Sequence, residues 1–158
     1  MTAIDATELA WQDRDSGTTA FRRKELATAA DADDIGCSLY ELPPGGRSWP
    51  YHYHTANEEA MYVLDGAGSV ETPDGTIRVA AGTYVTFPAG EAGAHRVVND
   101  GDDPLRYLML STMREPEVTV YPESGVFGVF VGSPPGGRAE RTLHGYYDVD
   151  DTTAYPEG

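Results

Sequence analysis

The chain has 158 residues, room for one domain, and its single cysteine, Cys37, excludes an internal disulfide and the zinc patterns that need paired thiolates. Apolar residues make up 40% of it, with no stretch near the roughly 20 residues that cross a bilayer. Only 11 basic side chains face 26 acidic ones, and a net charge of −15 makes nucleic acid and anionic membrane poor partners.

The acids are spread along the whole chain, which reads as a solvated acidic shell and not as an interaction tail. Such a shell suits a halophilic source, because roughly molar salt shortens the Debye length to about 3 Å and screens the self-repulsion. Met1 to Ala10 carries Asp5 and Glu8 and has neither a basic nor an apolar signal region, so a cytoplasmic location is expected.

Residues 1–35 are Ala-rich and acidic around Phe21-Arg22-Arg23-Lys24-Glu25-Leu26 and read as an irregular N-terminal arm with one helical turn, wrapped on the domain or on a partner subunit. Beyond it, 18 Gly and 11 Pro punctuate the sequence at regular intervals, as at Pro73-Asp74-Gly75, Pro88-Ala89-Gly90 and Asn99-Asp100-Gly101. The intervening runs predict short strands at 37–42, 60–64, 69–72, 77–80, 84–87, 95–98, 105–109, 118–121 and 126–131. Many short strands with frequent turns indicate an all-β sandwich or barrel, here over residues 36–133. Cys37 lies between Ile35 and Leu39 and reads as a small buried hydrophobe. Residues 134–158 read as a polar C-terminal tail carrying Tyr146, Tyr147 and Tyr155, with His144 solvated in it.

Chemistry concentrates between these flanks. His52 and His54 are two apart, so an extended segment puts both imidazoles on one face. On the next strand Glu59, Met61 and Val63 share a face, while Glu58, Ala60, Tyr62 and Leu64 share the other, which favours Glu59 over Glu58 as the inward carboxylate. His95, Val97 and Asn99 share a face of a later strand and supply a third imidazole if that face lines the interior. Three imidazoles and a carboxylate suit a divalent first-row metal. Spacing alone permits these ligands to converge.

At these residues the sequence resembles the cupin superfamily. The first motif reads Gly46, five residues, His52-Tyr53-His54, four residues, Glu59, six residues, Gly66. The second reads Gly82, five residues, Pro88-Ala89-Gly90, four residues, His95, three residues, Asn99, departing from the family pattern in having four residues rather than two before the histidine. The resemblance implies a double-stranded β-helix, or jelly-roll barrel, with one divalent metal ion (Fe, Mn, Zn or Ni) held by His52, His54, Glu59 and His95, and often a homodimer. Gly66 and Gly82 read as turn glycines, and Asn99 as the cap of the turn that follows it. Met61, Tyr84, Phe87, Tyr107 and Met109 are candidates for the pocket wall, with core packing the plainer role. Arg47 and Arg106 either bind an anionic ligand or sit in surface ion pairs.

A metal balanced by one carboxylate favours a small oxygenated or anionic metabolite as ligand. Iron or manganese would suit dioxygenase-like chemistry, and zinc or nickel a sugar-isomerase-like reaction. The alternative is a non-catalytic metal- or ligand-binding cupin, a sensor or storage module, because one barrel hosts many functions.

Overall fold

The computed structural model describes residues 1–137, 139–151 and 153–154. Strand β1 (Gln12–Ser16) turns at Gly17, where φ is +66°, into β2 (Thr19–Glu25). A single helical turn, α1 (Leu26–Ala29), leads to β3 (Ile35–Leu42). There follow β4 (Tyr53–His54), β5 (Glu59–Asp65), β6 (Ala67–Thr72), β7 (Gly75–Ala80), β8 (Tyr84–Phe87) and β9 (Arg96–Val98). The last four are β10 (Leu105–Thr112), β11 (Glu117–Tyr121), β12 (Val126–Val131) and β13 (Leu143–Asp148). No helix among the described residues is long and apolar enough to cross a membrane.

The strands form a six-stranded sheet in the order β1-β2-β3-β10-β5-β8, a four-stranded sheet β13-β12-β11-β4 and a three-stranded sheet β7-β6-β9. This is the expected all-β jelly roll, built as a sandwich whose sheets do not close into one continuous cylinder. Isolated bridges, His52 to His95 and Arg47 to Val98, stitch the edges together where no ladder runs. Every nonlocal strand pair is antiparallel, so inward and outward side chains alternate cleanly. Met61 and Val63 on β5, Val70 on β6, Val97 on β9, Leu42 on β3, and Leu105 and Tyr107 on β10 are fully buried and form one core. Gly66 links β5 to β6 with φ at +79°, and a Cβ there would lie 2.4 Å from the Pro104 carbonyl oxygen, so both conformation and space demand glycine.

Both flanks are more ordered than the sequence predicts. Residues 12–25 are not an irregular arm: they form a hairpin that extends the main sheet, with β2 paired to β3 from Arg22↔Glu41 to Glu25↔Ser38. The helical turn falls at α1. Alternation hides this hairpin because β1 is exposed throughout and Phe21 is the one large apolar residue of β2. Lys24 is nevertheless buried, its ammonium donating to the Ala6 carbonyl at 2.7 Å and lying 4.7 Å from the Trp11 ring, so the first residues cover the outer face of β2. The C-terminal segment is likewise not wholly a tail, since β13 pairs with β12 from Val126↔Asp148 to Val131↔Leu143. His144 is exposed on that strand, and Tyr155 lies outside the described residues. Cys37 is half-buried, at one end of the main cavity and not in the core.

Candidate metal centre

Backbone pairing brings the four candidate ligands together. His52 N–H donates to the His95 carbonyl at 3.2 Å and His95 N–H to the His52 carbonyl at 2.9 Å, which sets the two rings 4.9 Å apart. His54, two residues on, is held through its pairing with Thr119 of β11, and its ring stands 5.2 Å from that of His52. Glu59 opens β5 on the same face as the buried Met61 and Val63, whereas Glu58, Tyr62 and Leu64 are exposed. The choice of Glu59 over Glu58 thus agrees with the strand's alternation.

Glu59 Oε2 lies 3.3 Å from His54 Nε2 and 3.5 Å from His95 Nε2. One ligand atom each from His52, His54 and Glu59 falls within 4.8 Å of the others. The outer ring nitrogens are also committed. His52 Nδ1 faces the Pro50 carbonyl at 2.7 Å and His95 Nδ1 the Gly93 carbonyl at 2.9 Å. A carbonyl only accepts, so both rings carry their proton on Nδ1 and turn the Nε2 lone pair to the centre, the tautomer a cation requires. The donor set and its support therefore fit a divalent metal.

The four-residue spacer before His95 forms a short 3-10 turn at Glu91–Gly93. A Cβ at Gly93 would come 1.8 Å from the Pro88 carbonyl oxygen, so the turn closes only with glycine there. Across the longer spacer His95 still reaches Glu59 at 3.5 Å but stands outside the tighter group of His52, His54 and Glu59; it is 1% exposed and stacked on Phe87 with ring centroids 3.8 Å apart. The spacer also supplies the Gly93 carbonyl that orients the ring.

Glu117 supports the candidate centre and is not singled out by the sequence. It is fully buried at the start of β11, with Oε1 3.4 Å from His54 Nδ1. The same carboxylate accepts from Thr55 N–H at 3.0 Å and from the Asn57 side-chain amide. Asn57 is fixed in turn by Thr112 and Arg114, so His54 is backed by a hydrogen-bonded carboxylate. An acid placed next to Pro116 on an acid-rich chain carries no periodic signal of this role.

Without a metal these groups are unevenly charged. Burial opposes a charge on His54, but Glu59 and Glu117 outweigh it and hold the imidazole up at about 10. Burial alone would raise Glu59, yet His54 and the other two histidines pull it down to about 2. Burial, reinforced by His95 and His54, pushes His52 down to about 3, and burial also lowers His95. The metal-free centre is a protonated His54 against an ionised Glu59, with two neutral imidazoles beside them.

The quartet opens on a cavity of about 270 Å³. Tyr40, Trp49, Tyr107 and Met109 line one part of it, and Tyr121, Phe130 and Tyr146 another. Of the expected wall residues, Tyr107 and Met109 are in place, while Met61 and Phe87 belong to the core beneath. Tyr84 is 61% exposed and is no wall residue, because it stands three positions from the buried Phe87 on β8 and so faces the other way. Arg106 is held in an ion pair with Glu41, and neither it nor Arg47 lines the cavity. The cations that do, Arg23 and Arg141, come from the two flanks. Asn99 caps its turn as expected, accepting from Gly101 N–H at 3.0 Å while its amide donates to Leu42 and Asp103 carbonyls.

Residues 38–111 match the family model for the cupin domain. This segment is a cupin domain. Solved structures agree with this cupin fold beyond the matched segment. A protein assigned as a sugar phosphate isomerase from Acidithiobacillus ferrooxidans is 24% identical and aligns over 98% of this chain and 97% of its own, with a TM-score of 0.81. A sugar phosphate isomerase of the cupin superfamily from Silicibacter pomeroyi is 22% identical over 97% of this chain and 96% of its own, with a TM-score of 0.79. The polyketide cyclase RemF of Streptomyces resistomycificus is 27% identical but covers 71% of this cupin and 79% of its own chain, with a TM-score of 0.61. No curated protein matches the sequence.

Proposed function

We propose that this cupin holds one divalent cation at His52, His54, Glu59 and His95 and is a metal-dependent isomerase of a small, anionic, sugar-like metabolite. The observation that carries the metal site is the turning of the imidazole Nε2 atoms of His54 and His95 onto one oxygen of Glu59, at 3.3 and 3.5 Å, with the His95 tautomer locked from behind. A bound divalent cation polarises a carbonyl without any proton bookkeeping. The protein's part is to hold the ligand in a small cavity walled in part by aromatic rings, beside cationic side chains from β2 and from the segment before β13.

The substrate class draws support from the two sugar phosphate isomerases, whose likeness runs through the β1–β2 hairpin and β13 as well as the cupin core. Those flanks bring Arg23, Arg141 and Tyr146 to the cavity. A second reading, a binding protein without turnover, is favoured by the wall itself. Among the described residues, the cavity lining holds no Asp, Glu or His outside the quartet to move a proton.

Elemental analysis of protein reconstituted with Mn, Fe, Ni or Zn is expected to give about one metal per chain, and no uptake overturns the metal site. NMR of the loaded protein with a panel of aldose and ketose phosphates in deuterated water then separates the readings. Interconversion with solvent exchange identifies the isomerase; a thermal shift without conversion identifies the binder. A homodimer is part of the same proposal, supported by Tyr62, Leu64 and Tyr84, exposed together on the outer face of β5 and β8, and sedimentation tests it.

A further inference from the structure

Two buried tyrosines of one cavity wall carry hydroxyl protons for which no acceptor stands among the described hydrogen bonds. Tyr107, in the middle of β10, lines the cavity beside the quartet and is fully buried. Its ring stacks on Tyr40 with centroids 5.2 Å apart and planes 3° from parallel. Its hydroxyl makes no hydrogen bond of acceptable geometry to any described residue. The Ser48 hydroxyl, which accepts from Val97 N–H at 3.0 Å, faces the phenol as a donor and lowers its pKa against the effect of burial.

The Tyr40 hydroxyl is in a related position. It accepts from Trp49 Nε1–H at 3.0 Å and faces the Arg23 guanidinium, and both neighbours are donors. Its own hydrogen therefore has no acceptor in that pair. Burial raises both phenols above their ordinary range, so each stays a neutral O–H donor. Native proteins leave few buried polar groups unpaired, because the lost hydration is not returned. Among the described residues that line the cavity Glu59 is the one carboxylate, and it belongs to the quartet.

We propose that Tyr107 and Tyr40 form a donor subsite for an anionic oxygen, of a carboxylate or a phosphate, on the molecule bound at the His52, His54, Glu59 and His95 centre. Arg23, which shares its charge with Glu25 at 2.7 Å, stands behind the subsite. The assignment rests on the proposed metal centre for the ligand's position, and it adds which wall selects the ligand. Tyr107 and Tyr40 are specificity-determining residues on this view.

The test uses Tyr107→Phe and Tyr40→Phe in the full chain. In the metal-free protein, Tyr107→Phe removes an unpaired hydroxyl and is expected to leave Tm unchanged or higher. In the metal-loaded protein, Trp49 fluorescence is titrated with inorganic phosphate and, separately, with acetate; the probe that binds wild type more tightly identifies the anion type. Each Phe variant is expected to weaken that probe by about tenfold, the usual scale for a hydrogen bond to a charged group, with metal affinity within about twofold. A fall of several degrees in the metal-free Tm of Tyr107→Phe overturns the proposal, since the hydroxyl then has a structural partner. Equal probe binding by wild type and the Phe variants, or no binding of either probe to wild type, also overturns it. Failure of the wild type to take up metal removes the metal-centre reading, and the metal-free Tm comparison still reports on the hydroxyl by itself.

Discussion

The stretch from Gly46 to Asn99 and the two flanks, residues 12–25 and 133–148, build the same cavity in different ways. The central stretch contributes the four candidate ligands, each on an inward position of a strand or bridge and each fixed by backbone pairing. The flanks contribute the two cations that line the cavity, Arg23 on β2 and Arg141 ahead of β13, together with Tyr146 on β13. The proposed binding of a metal therefore depends on the centre, and the choice of ligand on the wall around it, to which the flanks add cations. A cupin core with other flanks would keep the quartet and lose Arg23, Arg141 and Tyr146 from the cavity.

The largest expected effect falls on the central stretch. His54→Ala or Glu59→Ala is expected to abolish metal uptake, with affinity falling by about 100-fold or more, whereas Glu58→Ala on the exposed face stays within a few-fold. Calorimetric titration with the metal measures both, and equal losses for Glu58→Ala and Glu59→Ala would erase the distinction between the two faces of β5. Glu117→Gln is expected to lower metal affinity by roughly 10- to 100-fold through the orientation of His54. Glu117→Ala, which strands Asn57 and Thr55 N–H in a fully buried site, is expected to cost about 3 kcal/mol in urea unfolding.

Protonation gives an effect of intermediate size. The folded pKa of His54 is raised to about 10, so its contribution to the stability of the metal-free protein is complete below about 6.5 and is lost as pH rises towards 10. His52 is lowered to about 3, and its neutral burial costs stability as pH falls from about 6.5 towards 3, in the same direction as His95 and Glu59. The metal-free protein is expected to be most stable near pH 6.5, with Tm falling on both sides. A cation must displace the His54 proton, so its apparent affinity is expected to rise about tenfold per pH unit between 7 and 9. Stability that increases steadily from pH 6.5 to 9 would show that His54 is not charged in the metal-free centre.

Smaller effects belong to the flanks and the surface. Arg141, stacked over Phe130 at 4.7 Å, is expected on replacement by Ala to leave metal affinity unchanged and to weaken phosphate or acetate binding by a few-fold. A comparable loss of metal affinity would merge flank and centre into one unit. Smallest per residue is the acidic shell: Tm is expected to rise gradually between low and molar salt as screening relieves a net charge of −15, and a flat response counts against salt adaptation.

Much of the fold was legible because alternation is a local property. The runs at 84–87 and 126–131 are strands with those same bounds, and the inward set Glu59, Met61 and Val63 follows from parity alone. Parity also shows why Tyr84 and Phe87 cannot share a wall. The hairpin at 12–25 was not legible, because β1 buries nothing and β2 buries a lysine whose partners, Ala6 and Trp11, are brought there by the chain's return path. β13 exists because β12 offers it an edge, and its own exposed residues carry no signal for it.

What the sequence determined by itself is the set of short strands, their two faces, and four side chains of the right chemistry at spacings that let them meet. Tertiary structure alone decided that they do meet, that Glu117 backs His54 from 63 positions away, and that Tyr107 stands in the cavity wall with a buried hydroxyl that lacks a hydrogen-bond partner among the described residues. The reason is physical: facing along a strand is fixed by the two-residue repeat of the backbone, whereas contact between strands depends on register and turn geometry far apart in the chain.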